Sequence, residues 1–295
     1  MKILITGVSG FIGSRLLKAV CARYGVKNVL ALSSKVQSTC DYVLYNTDYA
    51  VATDDIDKLA QIELVIHAGA FTPKNRFDAN EVKGCNSNIQ FINDLLKLPF
   101  PALKKFIYLS TLDVYGEAEL ISETSELGPA SLYGLSKLYC EKMLSSYCDG
   151  NNLQCQVLRI GHVYGPGEEK YEKFLPNSIK RIIKEEPIEL WGDGSELRSF
   201  IYINDVIDAC VAAIDLSETV GVINVVGGQA ISIVDLVNKL DEITDEKVVV
   251  DIKPYSGVKR DLLFDNSKMR KYLITNEISL DEGLKEEVAY FRALN

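Results

Sequence analysis

"ILITGVSGFIGSRLLKAV", residues 3–20, joins an apolar run to a glycine-rich turn and then to a helical repeat. The uninterrupted run ILIT reads as a strand buried on both faces. Gly7, Gly10 and Gly13 let the backbone turn tightly, and SRLLKAV carries its apolar residues at helical spacing. Such a turn presents free N–H groups at a helix N-terminus, where a pyrophosphate is favoured. The stretch predicts a dinucleotide-binding α/β domain; the plain alternative is an ordinary strand–helix turn.

The pattern continues outward. Runs at 28–32, 63–67, 105–110 and 156–160 read as buried strands, and 15–23, 87–97 and 136–147 as helices between them. This alternation predicts a Rossmann-type doubly wound parallel sheet covered on both faces. After Gly165-Pro166-Gly167 the pattern loosens into a helix at 173–184, a strand at 188–191, a loop, a helix at 204–216, a strand at 222–226 and a helix at 231–241. The expected organisation is a nucleotide-binding domain over 1–165, with 200–220 returning to it. Residues 166–199 and 221–295 form a smaller α/β substrate-binding cap, with Trp191 in its core.

Composition narrows the function. A net charge of −9 argues against nucleic acid as a partner, and no apolar run reaches the ~20 residues of a membrane span. Seven scattered cysteines without a Cys-x-x-Cys, and only two histidines, support neither a disulfide framework nor a metal site. A reducing cytoplasm is the expected compartment.

In "SLYGLSK", residues 131–137, Tyr133 and Lys137 stand at i and i+4 on one helix face. A free tyrosine titrates near 10. A neighbouring ammonium favours the phenolate and makes the residue a usable general acid–base. Thr111, ending the strand in "YLSTLDVYG", can bond the same substrate oxygen. Where the second strand ends, an NAD enzyme places an acidic residue against the ribose. Here Leu32 is followed by Ser33, Ser34 and Lys35, which suit a 2′-phosphate and favour NADP(H) over NAD(H), unless Lys35 simply points into solvent. Asp48 and Tyr49 either border the adenine or belong to a plain loop.

With "VIHAGA", "RIGHVYGPG", "GDGSELRSFIYINDV" and "KRDLLFDNSK", these motifs resemble, in order and over nearly the whole chain, the extended short-chain dehydrogenase/reductases of the epimerase/dehydratase family acting on nucleotide-diphosphate sugars. The resemblance implies that Thr111, Tyr133 and Lys137 are catalytic. It also implies that Gly7, Gly10, Phe11, Ile12, Gly13, Ala68, Gly69, Ala70 and Ile160 border the cofactor. Arg198 and Arg260 would grip the diphosphate. Asn86 and Tyr164 would border the sugar, and His162 stands where the family often has Asn. His67 reads as structural. Leu112 occupies a position where the family's 4,6-dehydratases carry an acid, which disfavours dehydration. Asp113 is an accessory acid or a loop residue.

The resemblance further implies a homodimer through the helices within 86–97 and 136–147, which could equally pack on the sheet. The expected activity is NADPH-linked reduction of a 4-keto nucleotide-diphosphate sugar, with a 4-epimerase holding NAD as the alternative. A non-catalytic cofactor-sensing module is more distant, since such relatives tend to lose the Tyr or Lys.

Overall fold

The structure, a computed structural model, describes residues 1–45, 55–246, 248–255 and 259–294. Asp48 and Tyr49 lie outside the described residues.

Seven strands form the main sheet: β1 (Lys2–Thr6), β2 (Val29–Ser33), β3 (Asp41–Leu44), β4 (Ile62–His67), β5 (Lys105–Thr111), β6 (Gln154–Ile160) and β10 (Ile223–Val225). Their order is β10-β6-β5-β4-β1-β2-β3, with every adjacent pair parallel. Two-residue alternation along each strand splits the core into two layers. Ile3, Ile5, Leu64, Ile66, Ile107, Leu109 and Leu158 face one layer with α1 (Phe11–Tyr24) and α6 (Ile203–Ile214). Leu4, Val65, Phe106, Tyr108 and Val157 face the other with α3 (Val82–Leu95) and α4 (Leu132–Gly150). The strand order reverses between β1 and β4, and ligands bind outside the C-terminal strand ends at such a switch point.

The chain returns to this sheet further than expected. Beyond α6 it continues into β10, which pairs with β6, so Ile223–Val225 lie in the main sheet, whereas 221–295 were expected in the cap. The return is tied down by Lys105, buried on β5, whose Nζ donates to Ala213 O, Ile214 O and Leu216 O at 2.7, 3.1 and 2.7 Å. A cation there meets the open carbonyls at a helix C-terminus.

The remainder builds two small sheets. β7 (His162–Tyr164) pairs with β9 (Leu197–Tyr202), which pairs with β11 (Ala230–Ser232); β8 (Ile188–Trp191) pairs with β12 (Val250–Lys253). Around them lie α5 (Phe174–Ile183), α7 (Ile233–Thr244), α8 (Ser267–Tyr272) and α9 (Leu280–Ala293). Trp191 is 55% exposed and is no core residue, because it ends the two-stranded β8–β12 sheet on its open face. No described helix is long and apolar enough to cross a membrane.

Candidate active site

A cleft of about 670 Å³ runs along the switch point. One end is the glycine turn. A Cβ on Gly13 would lie 2.1 Å from Gly7 O, so only glycine lets α1 begin against the end of β1. The N-cap of α1, Gly10, offers no side chain, which leaves the first N–H groups of the helix to the cleft that Gly10, Phe11, Ile12 and Gly13 line. These residues fit a dinucleotide pyrophosphate. Thr6 accepts from Gly69 N at 3.1 Å and bonds His67 Nδ1 at 2.7 Å, fixing Ala68, Gly69 and Ala70 along the cleft wall. Burial holds the His67 imidazole down to about 3, the neutral structural role expected of it.

The far end gathers Thr111, Tyr133 and Lys137. Ser131 caps α4 by accepting from Gly134 N at 3.1 Å. Gly134 lets the first turn of that helix press on the turn after β5, since a Cβ would meet Asp113 O at 2.3 Å. The Tyr133 phenol therefore lies within reach of the Thr111 hydroxyl and also of Thr72, both of which ease its ionisation. Burial and the Asp113 carboxylate outweigh them and push Tyr133 well above its ordinary value.

The expected lowering by Lys137 is not what the structure has. Lys137 Nζ donates to Leu109 O at 2.6 Å and lies 4.3 Å from the centre of the Tyr108 ring. Burial brings this ammonium down to about 8. The i, i+4 spacing put both residues on one face, but the strand carbonyl claims the ammonium.

Behind Thr111 lies a buried polar network. Glu141, one turn beyond Lys137, accepts from Arg159 Nε at 3.0 Å and Nη2 at 2.7 Å, and from Ser110. Arg159 covers the Tyr115 ring at 4.6 Å, and Tyr115 donates to Asn224 Oδ1 at 2.7 Å. The network ties β5, α4, β6 and β10 together under the cleft floor.

His162 lines the cleft, and its Nδ1 is a buried atom with no protein partner. Burial, then the Lys173 and Arg198 charges, bring it down to about 4, so it is a neutral imidazole. Asp113 opens onto the cleft; its withdrawal from bulk water into the cleft wall pushes its carboxyl up, while Thr111 and Arg260 oppose the shift. Arg198 and Arg260 are not themselves lining residues. They stand beyond His162 and Asp113, joined by a 2.7 Å bond from Arg198 Nη1 to Arg260 O. Ser33, Ser34 and Lys35 lie off the cleft lining, and the Ser33 hydroxyl accepts from Lys35 N at 3.1 Å and Gln37 Nε2 at 2.9 Å. Tyr164 is in the core, packed on Tyr202 and Phe200 and turned away from the cleft.

Asn86 is on the wrong face of α3 for the sugar and lines a separate outer groove with Val82 and Ile89. Asn88 borders the cleft instead. Its Oδ1 accepts from Phe71 N at 2.7 Å, and its Nδ2 donates to Phe71 O and Ser136 Oγ. Helical spacing carried that signal, because Asn88 shares a face with Phe91, Ile92 and Leu95. Thr72, Lys74, Arg76, Lys170, Tyr171 and Lys173 also line the cleft without having been singled out. They come from two loops, and the positive charge they concentrate in a chain of net charge −9 suits phosphates.

The segment between β7 and α5 crosses the cleft mouth. Tyr171 meets the Phe11 ring edge-on at 6.0 Å, and Glu172 N donates to Lys74 O at 2.8 Å on the opposite side.

The pattern of the NAD dependent epimerase/dehydratase family matches residues 3–226. A Bacillus subtilis (strain 168) protein named "Uncharacterized UDP-glucose epimerase YtcB" is 26% identical, across 100% of this chain and 99% of its own length. UDP-glucuronic acid decarboxylase 1 of Arabidopsis thaliana is 24% identical over 99% of this chain and 70% of itself. Among solved structures, UDP-glucuronic acid 4-epimerase from Bacillus cereus in complex with NAD superposes with a TM-score of 0.83 at 27% identity, covering 100% and 99% of the two chains. MoeE5 in complex with UDP-glucose and NAD superposes at 0.85 with 26% identity and full coverage of both.

Proposed function

The chain belongs to the NAD dependent epimerase/dehydratase family, and we propose that within it the protein is a nucleotide-sugar 4-epimerase that keeps its NAD bound through turnover. The observation that carries the reading is the segment closed across the cleft from Phe11 to Lys74. A reductase exchanges its dinucleotide every cycle, whereas an epimerase regenerates it in place, so a covered cleft favours the epimerase over the 4-keto reduction expected from sequence. NAD is favoured over NADP because the Ser33 hydroxyl is already taken by its own turn, and similar proteins were solved with NAD.

A nicotinamide dinucleotide held along Gly10–Gly13 and Ala68–Ala70 would supply reversible hydride exchange at the sugar C4. The chain supplies the rest. Tyr133 takes up the hydroxyl proton as C4 becomes a ketone and gives it back afterwards, and Thr111 bonds the same oxygen. Lys137, held by Leu109 O, keeps a positive charge on the cleft wall. His162, a neutral imidazole with a free Nδ1, bonds the sugar, and Arg198 and Arg260 draw in the diphosphate. Leu112 offers no acid for dehydration.

The test is to denature the purified protein, identify the released nucleotide, and supply UDP-glucose and UDP-glucuronic acid. Near-stoichiometric NAD and formation of the C4 epimer of one sugar are expected. A protein that carries no nucleotide and oxidises NADPH with a 4-keto sugar would reject the reading.

The outer groove between α3 and α4 is assigned to a second copy of the chain. Val82, Leu132, Leu135 and Tyr139 are apolar yet exposed along it. Light scattering should give twice the chain mass, and Leu135→Glu should halve it; a monomeric wild type overturns the assignment.

A further inference from the structure

Glu168 and Glu287 are both sealed from solvent, at 0% exposure. One sits in the segment that crosses the cleft mouth and the other on α9, far along the chain. Their carboxyls face each other. With both ionised, Glu168 Oε1 and both Glu287 oxygens would be buried acceptors lacking a donor, because a carboxylate carries no hydrogen. A single proton held by Glu287 and donated to Glu168 resolves the conflict. Burial and the Glu168 charge push the Glu287 carboxyl up to about 10, with the Lys173 charge opposing. The Tyr164 and Tyr202 phenols feel the Glu287 charge, and Tyr202 donates to the neighbouring Glu286.

From this pair the contacts run outward to the cleft. Lys173 Nζ lies 3.0 Å from Glu168 Oε2 and 2.8 Å from the carbonyl of Val163, the residue after His162. The same ammonium lies 5.0 Å from the centre of the Tyr171 ring. Tyr171 N donates to Glu168 O at 2.9 Å, and its ring reaches Phe11 on the glycine turn. The buried Glu168 carboxylate thus holds Lys173 from behind and reaches Tyr171 through that ammonium, while the Glu168 backbone carbonyl takes the Tyr171 N–H.

We propose that Glu168, sharing a proton with Glu287, is a positioning residue that fixes Lys173 and Tyr171 over the cleft and thereby sets how tightly the dinucleotide is retained. The proposal deepens the retained-cofactor reading and rests on it for its choice of measurement, while the dinucleotide site itself follows from the family.

Protein stripped of nucleotide is titrated with NADH by fluorescence. Glu168→Gln, of equal size but neutral, is expected to raise the dissociation constant about tenfold, as the loss of one charge-assisted hydrogen bond does. Glu168→Asp, which keeps the charge, should recover part of the loss. In a Lys173→Met background the Glu168→Gln change should add less than twofold, because Glu168 acts through Lys173. An unchanged dissociation constant for Glu168→Gln, or an equal loss with and without Lys173, overturns the proposal. Should Glu168→Gln fail to fold, Lys173→Met alone must show the tenfold rise, and a flat titration again overturns it. Failure of the epimerase reading would show as a different product with these constants still shifted. Failure of this inference would leave the product unchanged and the constants flat.

Discussion

Tyr133→Phe is expected to lower kcat by a factor of about 10²–10⁴, the usual worth of a positioned acid–base group, while KM changes by less than about threefold and the nucleotide stays bound. The phenol is buried and its ring is retained, so the variant removes one oxygen without opening a cavity. A loss confined to kcat marks an interaction used only as the proton moves. Burial and Asp113 hold Tyr133 above its ordinary value, so the phenolate that accepts the C4 hydroxyl proton is the minor form of the chain alone, and the positive charge of a bound oxidised nicotinamide would have to favour it. Steady-state kinetics on the proposed C4 epimerisation give the answer. An unchanged kcat would sink the acid–base assignment and restore the non-catalytic reading of the fold.

Glu141→Leu should destabilise the protein by about 3–5 kcal/mol, because it strands a buried guanidinium. Arg159 and Glu141 have side chains only 3% and 5% exposed, and Arg159 gives both of its bonds to that carboxylate. Its remaining neighbour is the face of Tyr115, which is no substitute for a counter-charge. A melting temperature lower by on the order of 10 °C is the expected readout. A double variant, Glu141→Leu with Arg159→Met, should recover much of the loss, since an apolar pair of similar volume leaves no charge behind. Equal melting temperatures for the single variant and the wild type would show that water reaches the guanidinium.

The sheet was legible because strands buried on both faces are largely apolar: β1 carries ILI, and β5 carries FIYL between the buried Lys105 and Ser110. The glycine turn and Ser131-x-Tyr133 were legible because turns and caps demand particular residues at fixed offsets. What escaped depends on side-chain reach or on loop paths. Asn86 and Asn88 differ by two positions, yet that rotates one out of the cleft and the other into it. Lys137 shares a helix face with Tyr133, but nothing local says that Leu109 O will take its ammonium. Tyr171 and Lys173 became part of the cleft only because the loop after β7 passes over Phe11, and loop paths carry no periodicity. Residues 222–226 read correctly as a strand, but its partner, β6, is far back in the chain.

That last pairing governs the order of events while the chain is being made. When β6 emerges during synthesis, its outer edge has no neighbour, and the strand that will cover it is more than sixty residues away. At roughly 5–20 residues per second the edge stays open for seconds, a template for pairing with another nascent chain. Gln156 and Gln154, which later bond Gly221 O and Ser217 O, meanwhile place polar amides along that strand. Nucleotide binding, by contrast, draws its glycine turn and the Tyr133 helix from the first half of the chain. The two ends of the cleft can therefore form before the sheet beneath them is closed.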